Sequence, residues 1–299
     1  MCAMPPYDES AWEHEYIEAG GLRFHMVTAG EGPVVLMLHG FPENWFAWRY
    51  QIDAVAKAGF KAVAVDMRGY GQTERPRKVS DYHLDKLAAD VDALVEAFGG
   101  EQIHLVAHDW GGGVAWHYAM HYEQRLASLC VMNCPHPKLF LQQLTSNGKQ
   151  RRRSWYMAYF QIPWLPEATM KANLDVLFKK TFRGWAYRKE AFPDEVIARF
   201  RDPMKEPYAV SAGINYYRAN LKNRKIFNDI RSYPHLKVPT LVIWAQKDRA
   251  LGPELCDGLD QMMDGPYEYV PIPDCSHWVQ QEQPEKVNEA LIDFLNRHR

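Results

Sequence analysis

The segment V-A-H-D-W-G-G-G, residues 106–113, has a carboxylate where a nucleophile elbow usually has serine. An apolar run precedes it and a helical pattern follows it. The small residues Ala107 and Gly111 permit the tight turn that an elbow needs. A helix N-terminus has unpaired backbone N–H groups and a partial positive charge, and both favour an ionised Asp109. The sequence therefore predicts a carboxylate nucleophile, although an isolated aspartate before a helix is most often only an N-cap.

Two residues further along the chain are expected to act with Asp109. In hydrolases with such an elbow, the chain order is nucleophile, acid, histidine. Asp248 follows the predicted strand 240–244, and His277 lies in a loop after the last predicted strand, 267–272. Because active sites of open α/β sheets lie outside the carboxyl ends of the strands, we expect the three side chains to meet there.

Two neighbouring residues compete for these roles. His108 directly precedes the nucleophile, but consecutive side chains on an elbow point apart, which favours a structural role for His108. Asp274 lies three residues before His277 in the same loop, and it is a weaker candidate than Asp248 for the orienting acid.

The loop H-G-F-P, residues 39–42, follows the first long predicted strand. In such hydrolases this loop donates a backbone N–H to the oxyanion, so we expect Phe41 and Trp110 to be the two donors. A carboxylate nucleophile displaces a leaving group at a saturated carbon and leaves an alkyl ester on Asp109. Water activated by His277 would then attack that ester. The predicted chemistry is alkyl transfer to water, with an epoxide or a haloalkane as the electrophile.

The elements that position these residues alternate between strand and helix in two parts of the chain. Strands are predicted at 34–38, 61–65, 102–106, 128–132, 240–244 and 267–272, a hairpin at 16–28, and helices at 45–58, 84–98, from about 110 and after Pro284. The segment 137–232 lacks buried-strand patterns and predicts helices. We therefore expect a mostly parallel sheet formed by 1–136 and 233–299, interrupted by a helical insertion at 137–232.

Composition narrows the partners and the compartment. The 299 residues are 47% hydrophobic and 24% charged with a net charge of −2, which favours neither nucleic acid nor an anionic membrane. Five cysteines without zinc-type spacing suit a reducing compartment, and we expect a cytoplasmic protein. The first ten residues lack the pattern of a signal peptide, and no apolar segment is long enough to span a membrane.

Seven short motifs, taken together, resemble those of the α/β-hydrolase-fold epoxide hydrolases over nearly the whole chain. The motifs are H-G-F-P (39–42), D-M-R-G-Y-G (66–71), H-D-W-G-G (108–112), Y-M-A-Y-F-Q-I-P (156–163), Y-Y-R (216–218), K-D (247–248) and D-C-S-H-W (274–278). The resemblance implies an α/β-hydrolase fold with a helical cap (lid) at 137–232. It also implies hydrolysis of an epoxide to a vicinal diol, with no metal and no organic cofactor. Some members carry an N-terminal anchor or an extra domain, and we expect neither here.

The resemblance also implies two cap tyrosines that donate hydrogen bonds to the epoxide oxygen, and these match Tyr156 and Tyr217. A phenol with a pKa of about 10 stays protonated at neutral pH and can act as such a donor. Tyr159 lies three residues after Tyr156 and can share its helix face, and Tyr216 adjoins Tyr217, so both remain alternatives.

Comparison with two related sequence patterns bears on function. Some relatives place the orienting acid after the strand that ends near Met132, but Asn133 stands there, which supports Asp248. Haloalkane dehalogenases share H-D-W-G, and many have asparagine where this chain has Phe41, so dehalogenation is the weaker alternative. A catalytically idle ligand-binding protein of the same fold is a third.

We expect a small apolar epoxide and water as the partners, with a homodimer as one option, and detoxification is one role compatible with them. Six apolar residues are expected to line the pocket: Trp45, Phe160, Trp164, Leu165, Leu177 and Phe178.

Overall fold

The structure, a computed structural model, describes residue 4 and residues 7–299. Cys2, and with it much of the N-terminal stretch examined for a signal peptide, lies outside the described residues. The strands are β1 (Glu13–Ala19), β2 (Leu22–Ala29), β3 (Val34–Leu38), β4 (Lys61–Val65), β5 (Ile103–His108), β6 (Leu126–Met132), β7 (Thr240–Ala245) and β8 (Tyr267–Ile272).

The eight strands form one sheet in the order β1-β2-β4-β3-β5-β6-β7-β8. The β1–β2 and β2–β4 pairs are antiparallel, and every pair from β4 to β8 is parallel. The central strands β5 and β7 are buried along their whole length, as expected for parallel strands covered by helices on both faces. The predicted mostly parallel α/β sheet is confirmed.

Three helices connect the strands of the first part: α1 (Arg49–Lys57), α2 (Leu84–Ala97) and α3 (Trp110–Tyr122). Between β6 and β7 lie α4 (Pro137–Ser146), α5 (Gly148–Arg153), α6 (Trp155–Tyr159), α7 (Leu165–Ala172), α8 (Leu174–Trp185), α9 (Asp194–Arg201), α10 (Ala209–Asn220) and α11 (Arg224–Arg231). The chain ends with α12 (Val279–Glu282) and α13 (Pro284–Arg297). The predicted insertion 137–232 spans α4–α11, and its status as a separate cap domain stays a prediction.

Several predicted elements differ from the observed ones at their ends, and two of these differences have local reasons. β5 continues beyond Val106 because Ala107 and His108 pair with β6, although a histidine interrupts the apolar run. The predicted helix 45–58 is a 3-10 turn, Trp45–Trp48, followed by α1; the Asn44 side chain caps the turn by accepting from the Phe46 N–H.

Two observations concern the environment of the protein. Cys130, Cys134, Cys256 and Cys275 carry free thiols. In the described part of the chain, no helix has both the length and the apolar character required to cross a bilayer.

Candidate active site

Asp109 lies on a strained turn between β5 and α3. Its backbone has φ 49° and ψ −119°, a conformation that residues other than glycine rarely adopt. The helix then passes close to the end of β3, since a Cβ atom on Gly111 would lie 2.2 Å from the Leu38 carbonyl oxygen. The Asp109 side chain accepts no hydrogen bond from the first turn of α3, all of which is described. The N-cap alternative therefore does not account for this residue.

The two carboxylate oxygens of Asp109 have different partners. Oδ1 accepts a hydrogen bond of 2.8 Å from the Phe41 N–H. Oδ2 lies 3.5 Å from His277 Nε2. The second expected donor, the Trp110 backbone N–H, makes no hydrogen bond to the carboxylate within the described residues, and the Trp110 ring packs edge-on against Tyr217 at 4.9 Å.

Asp248 holds His277 from the other side of the imidazole ring. His277 Nδ1 donates to Asp248 Oδ2 at 2.7 Å, and the Asp248 side chain is fully shielded from solvent. Its Oδ1 accepts from the backbone N–H groups of Ala250 and Leu251 at 2.7 and 2.9 Å. Asn133 Nδ2 also donates to Oδ2, at 2.8 Å. Asp248 therefore accepts four hydrogen bonds, which fix the carboxylate against the imidazole.

The competing residues lie elsewhere. His108 points away from the Asp109 carboxylate: its Nδ1 lies 2.9 Å from Glu43 Oε2, and its Nε2 lies 2.8 Å from the His277 carbonyl oxygen. Asp274 is exposed, whereas Asp248 is buried against the imidazole. The structure thus brings together Asp109, His277 and Asp248 rather than their competitors.

Sequence reasoning missed Glu43, which lies beneath the site. Glu43 is buried and accepts from the Gly40 N–H at 3.1 Å and from Gln281 Nε2 at 2.6 Å. Together with its contact to His108, it joins the loop that carries Phe41 to the segment after β8. Its position directly after H-G-F-P was the one available signal, because a single buried acid has no periodic pattern.

Sequence reasoning used Asn133 only to show that the orienting acid does not follow β6, and it gave the residue no function of its own. The Asn133 backbone has a positive φ of 42°, and its Oδ1 accepts from the Ala245 N–H at 2.9 Å. That bond fixes the orientation of the amide, so Nδ2 is presented to Asp248. The signal was again positional: an amide at the carboxyl end of β6, next to β7.

Opposing electrostatic effects set the ionisation of the buried pair. Burial alone would raise the pKa of Asp109, but His277, His108 and the Phe41 N–H together hold it below its usual value. Burial alone would lower the pKa of His277, but the carboxylates of Asp248 and Asp109 raise it well above its usual value. The carboxylate is therefore ionised at neutral pH, and the imidazole readily holds a proton beside it.

Tyr156 of α6 and Tyr217 of α10 face the carboxylate from the helical segment. Both line the same cavities as Asp109, and their rings meet edge-on at 5.9 Å. Burial and the charge of Asp109 raise the pKa of both phenols, so each keeps its proton at neutral pH.

The two alternative tyrosines are engaged by other partners. Tyr216 is buried and donates to the Arg68 carbonyl at 2.8 Å. The Tyr159 hydroxyl pairs with the Thr169 hydroxyl at 2.5 Å. Adjacent residues on α10 thus point in different directions, as helix geometry requires.

Two cavities meet at Asp109, Tyr156 and Tyr217. The smaller has a volume of about 270 Å³ and the larger about 410 Å³. The smaller is lined mainly by apolar side chains, which include Leu84, Phe140, Leu141, Leu144, Met157, Leu221, Ile226, Phe227, Ile230 and Leu251. The larger is lined by Phe41, Phe160, Met170, Val176, Leu177, Phe178, Trp185, His277 and Trp278, among others.

The expected pocket composition was half wrong. Phe160, Leu177 and Phe178 line the larger cavity, but Trp45, Trp164 and Leu165 line neither of the two cavities. Trp164 is 73% exposed, and Trp45 packs edge-on against Trp12 at 5.9 Å. Apolar residue type alone does not show which face of the fold a side chain occupies.

Comparisons with known proteins show the family of the chain. The family model of the α/β hydrolase fold matches residues 33–284. The chain is 35% identical over 297 residues to epoxide hydrolase 4 of Homo sapiens, covering 96% of this chain and 80% of that protein. It is 33% identical over 285 residues to AB hydrolase superfamily protein YfhM of Bacillus subtilis, covering 94% of this chain and 97% of that protein. The crystal structure of an epoxide hydrolase from Vigna radiata matches with a TM-score of 0.85 at 27% identity, covering 97% of this chain and 99% of that one. The chain belongs to the α/β-hydrolase-fold family and, within it, to the epoxide hydrolases.

Proposed function

We propose that the protein hydrolyses a small apolar epoxide to a vicinal diol through an alkyl ester on Asp109. The observation that carries the proposal is the environment of this one carboxylate. Oδ1 accepts from the Phe41 N–H, Oδ2 faces His277 Nε2, and the paired phenols of Tyr156 and Tyr217 share its cavities. A nucleophile, a base and two proton donors therefore surround one reacting centre.

In the first step, Asp109 Oδ2 attacks a ring carbon of the epoxide. A bond forms between Oδ2 and that carbon, and the carbon–oxygen bond of the ring breaks. Tyr156 and Tyr217 donate hydrogen bonds to the oxygen as negative charge develops on it. One of the two phenols transfers its proton to that oxygen and is reprotonated from solvent. Their raised pKa values keep both phenols in the donor form. The product is a hydroxyalkyl ester of Asp109.

In the second step, water attacks the carbonyl carbon of this ester. His277 Nε2 takes a proton from the water, and the hydroxide adds to Cγ of Asp109. Negative charge develops on Oδ1, which already accepts from the Phe41 N–H in the resting state. Trp110 is proposed as the second backbone donor once the carboxylate is esterified. Collapse breaks the bond between Cγ and the alkyl oxygen, and the proton held on His277 Nε2 passes to that oxygen, so the diol leaves. Asp109 then loses one proton to solvent, which balances the proton taken up in the first step, and one water molecule has been consumed.

Asp248 orients His277 in this mechanism. A carboxylate that accepts from Nδ1–H leaves Nε2 as the basic nitrogen of the neutral ring. It also stabilises the imidazolium that forms when Nε2 accepts the proton. Asn133 and Glu43 are positioning residues, since the first contacts Asp248 and the second contacts the Phe41 loop and His108.

The cavities favour an epoxide with apolar substituents. Because both cavities reach Asp109, a ring seated there can extend one substituent into each. The free thiols support a reducing, cytoplasmic location. We propose that neither a nucleic acid nor a membrane is a partner of the protein. A homodimer also remains a proposal, which light scattering on purified protein would test.

The His277→Gln variant tests the mechanism, because it should form the ester and then fail to hydrolyse it. The variant is exposed to a terminal epoxide, and the intact mass is measured. We expect a gain equal to the whole epoxide, located on the peptide that contains Asp109. The matched control, Asp109→Asn combined with His277→Gln, should gain nothing.

The same protein exposed to a bromoalkane separates the alternatives. A gain of the alkyl group alone, seen only with the bromoalkane, would indicate a dehalogenase and contradict the proposal. An adduct on a residue other than Asp109 would also contradict it. Absence of any adduct across a panel of epoxides of different size would favour the idle ligand-binding alternative.

A further inference from the structure

A second cluster of reactive side chains lies away from the Asp109 site. His117 and His121 are one turn apart on α3, and Asp229 of α11 faces both. One ligand atom from each of the three residues lies within 4.8 Å of the others. From Trp110 at the start of α3, the midpoint of the two histidines is about 13 Å along the helix axis. The cluster is therefore a separate site, at the contact between α3, which packs on β5 and β6, and α11 of the insertion.

The ligand types and their spacing suit a first-row transition metal. Residues four apart on a helix share one face, so both imidazoles can bind one ion. His121 Nε2 lies 3.0 Å and His117 Nδ1 lies 3.8 Å from Asp229 Oδ2. Ligands about 2.1 Å from a tetrahedral zinc ion are about 3.4 Å apart, so these separations bracket the required value.

The hydrogen-bond partners of His117 resemble those of a histidine that binds a metal. His117 Nε2 lies 3.1 Å from Asp85 Oδ1, and Lys225 Nζ contacts the other Asp85 oxygen at 2.9 Å. Metal-bound histidines usually donate their second ring N–H to such a carboxylate, which fixes the ring and leaves the other nitrogen for the ion. The remaining nitrogen, Nδ1, is the one that faces Asp229. It now bonds to the Tyr233 hydroxyl, which is placed to be a fourth ligand or to yield to one.

The burial pattern provides an anchor and an entry path. The His117 side chain is 1% exposed, whereas those of His121 and Asp229 are 39% and 29% exposed. An ion can therefore arrive from solvent at His121 and be held on the inner side by His117.

We propose that His117, His121 and Asp229 bind one Zn²⁺ ion that fastens α11 to α3. Ile226 and Ile230 of α11 line the smaller cavity, and Asp229 lies three residues after Ile226 on the same short helix, so the ion would hold a wall of that cavity in place. The role is structural and separate from the Asp109 chemistry. The resemblance to epoxide hydrolases implied no metal, so this zinc site is an addition to what the sequence predicts.

Zinc titration of tag-free, chelator-treated protein tests the proposal. We expect one equivalent of Zn²⁺ to bind and, with excess zinc, Tm to rise by about 5 °C. His121→Ala and Asp229→Asn should weaken binding at least about tenfold and abolish the rise. The exposed position of His121 makes the first variant a mild change. Co²⁺ in place of zinc should give visible d–d bands in the parent protein and lose them in both variants.

An exposed histidine–aspartate pair outside the cluster provides the matched control. His235 Nδ1 lies 3.2 Å from Asp264 Oδ1, and both side chains are about half exposed. His235→Ala should leave the stoichiometry, the Tm rise and the cobalt spectrum unchanged. Binding that is equal in His121→Ala and the parent would show adventitious zinc on surface histidines and overturn the proposal. The proposal is also overturned if no equivalent of zinc binds, or if binding leaves Tm unchanged.

Discussion

Replacing Asp248 with asparagine tests whether this carboxylate sets the tautomer of His277. The backbone N–H groups of Ala250 and Leu251 donate to Oδ1 at 2.7 and 2.9 Å, so an amide must keep its oxygen there. Its NH₂ group then occupies the Oδ2 position, 2.7 Å from His277 Nδ1 and 2.8 Å from Asn133 Nδ2. When the NH₂ donates to Nδ1, the proton of the neutral ring moves to Nε2, which can no longer accept one from water.

The expected magnitude follows from the loss of one general base. Positioned bases contribute about 10²- to 10⁴-fold, and the equivalent acid-to-amide change in a Ser-His-Asp triad lowers turnover about 10⁴-fold. We therefore expect Asp248→Asn to slow hydrolysis of the alkyl ester by about 10³- to 10⁴-fold. Ring opening should change by less than about tenfold, because Asp109 keeps its bond from Phe41. The NH₂ group facing the Asn133 amide should also lower the free energy of unfolding by about 1–3 kcal/mol.

Rapid quench followed by intact-mass measurement separates the two steps. The variant should show a fast burst of alkylated protein and a very slow decay. Asp274→Asn is the matched control, because Asp274 lies in the same loop as His277 but is exposed. We expect the control to resemble the parent in both steps. If Asp274→Asn blocked hydrolysis, or if Asp248→Asn slowed ring opening as much as hydrolysis, the reasoning would be refuted.

Two further predictions concern the proton donors and the pH dependence. Tyr156→Phe and Tyr217→Phe should each slow ring opening by about 100-fold, since each removes one donor to the developing alkoxide, whereas Tyr159→Phe should have little effect; the burst rate checks this, and equal losses in all three would contradict it. Ester hydrolysis needs neutral His277 and should slow as pH falls through the pKa of that imidazole. Ring opening needs ionised Asp109, whose pKa is lowered, and should persist at mildly acidic pH. Single-turnover rates at about pH 5 to 9 check the sign, and a parallel loss of both steps would contradict it.

The sheet was predictable because buried parallel strands appear as uninterrupted apolar runs. β3 and β4 begin and end at the predicted residues, and so does β8, although it is a partly exposed edge strand. The elbow was predictable for a similar reason, since a strand, a small-residue turn and a helix are consecutive in the chain. Both inferences use only residues that are close together in the chain. Such residues are sufficient when the feature predicted is a single strand or one strand–turn–helix segment.

Long-range contacts were harder to predict. Glu43 contacts Gln281 across 238 positions of the chain, and Asn133 contacts Asp248 across 115. Helical spacing did not separate Tyr156 from Tyr159, because residues three apart share a face. The structure separates them by their partners, which are supplied by other helices. In the second cluster, Asp229 likewise reaches the two histidines of α3 only through the packing of α11 on α3.

In the proposed mechanism, the charge of Asp109 controls how strong a base His277 is at each step. While this carboxylate is ionised, it helps to raise the pKa of His277, so the imidazole tends to hold a proton and is a poor base. Esterification removes the negative charge and one of the causes of the raised pKa. The remaining partner, Asp248, still raises the pKa of His277, but the contribution of the Asp109 charge is gone. The pKa of His277 therefore falls when the ester forms, and the base becomes available when there is an ester to hydrolyse. The acid limb of hydrolysis should accordingly lie at lower pH than the titration of His277 in the free enzyme, which NMR of the imidazole can measure.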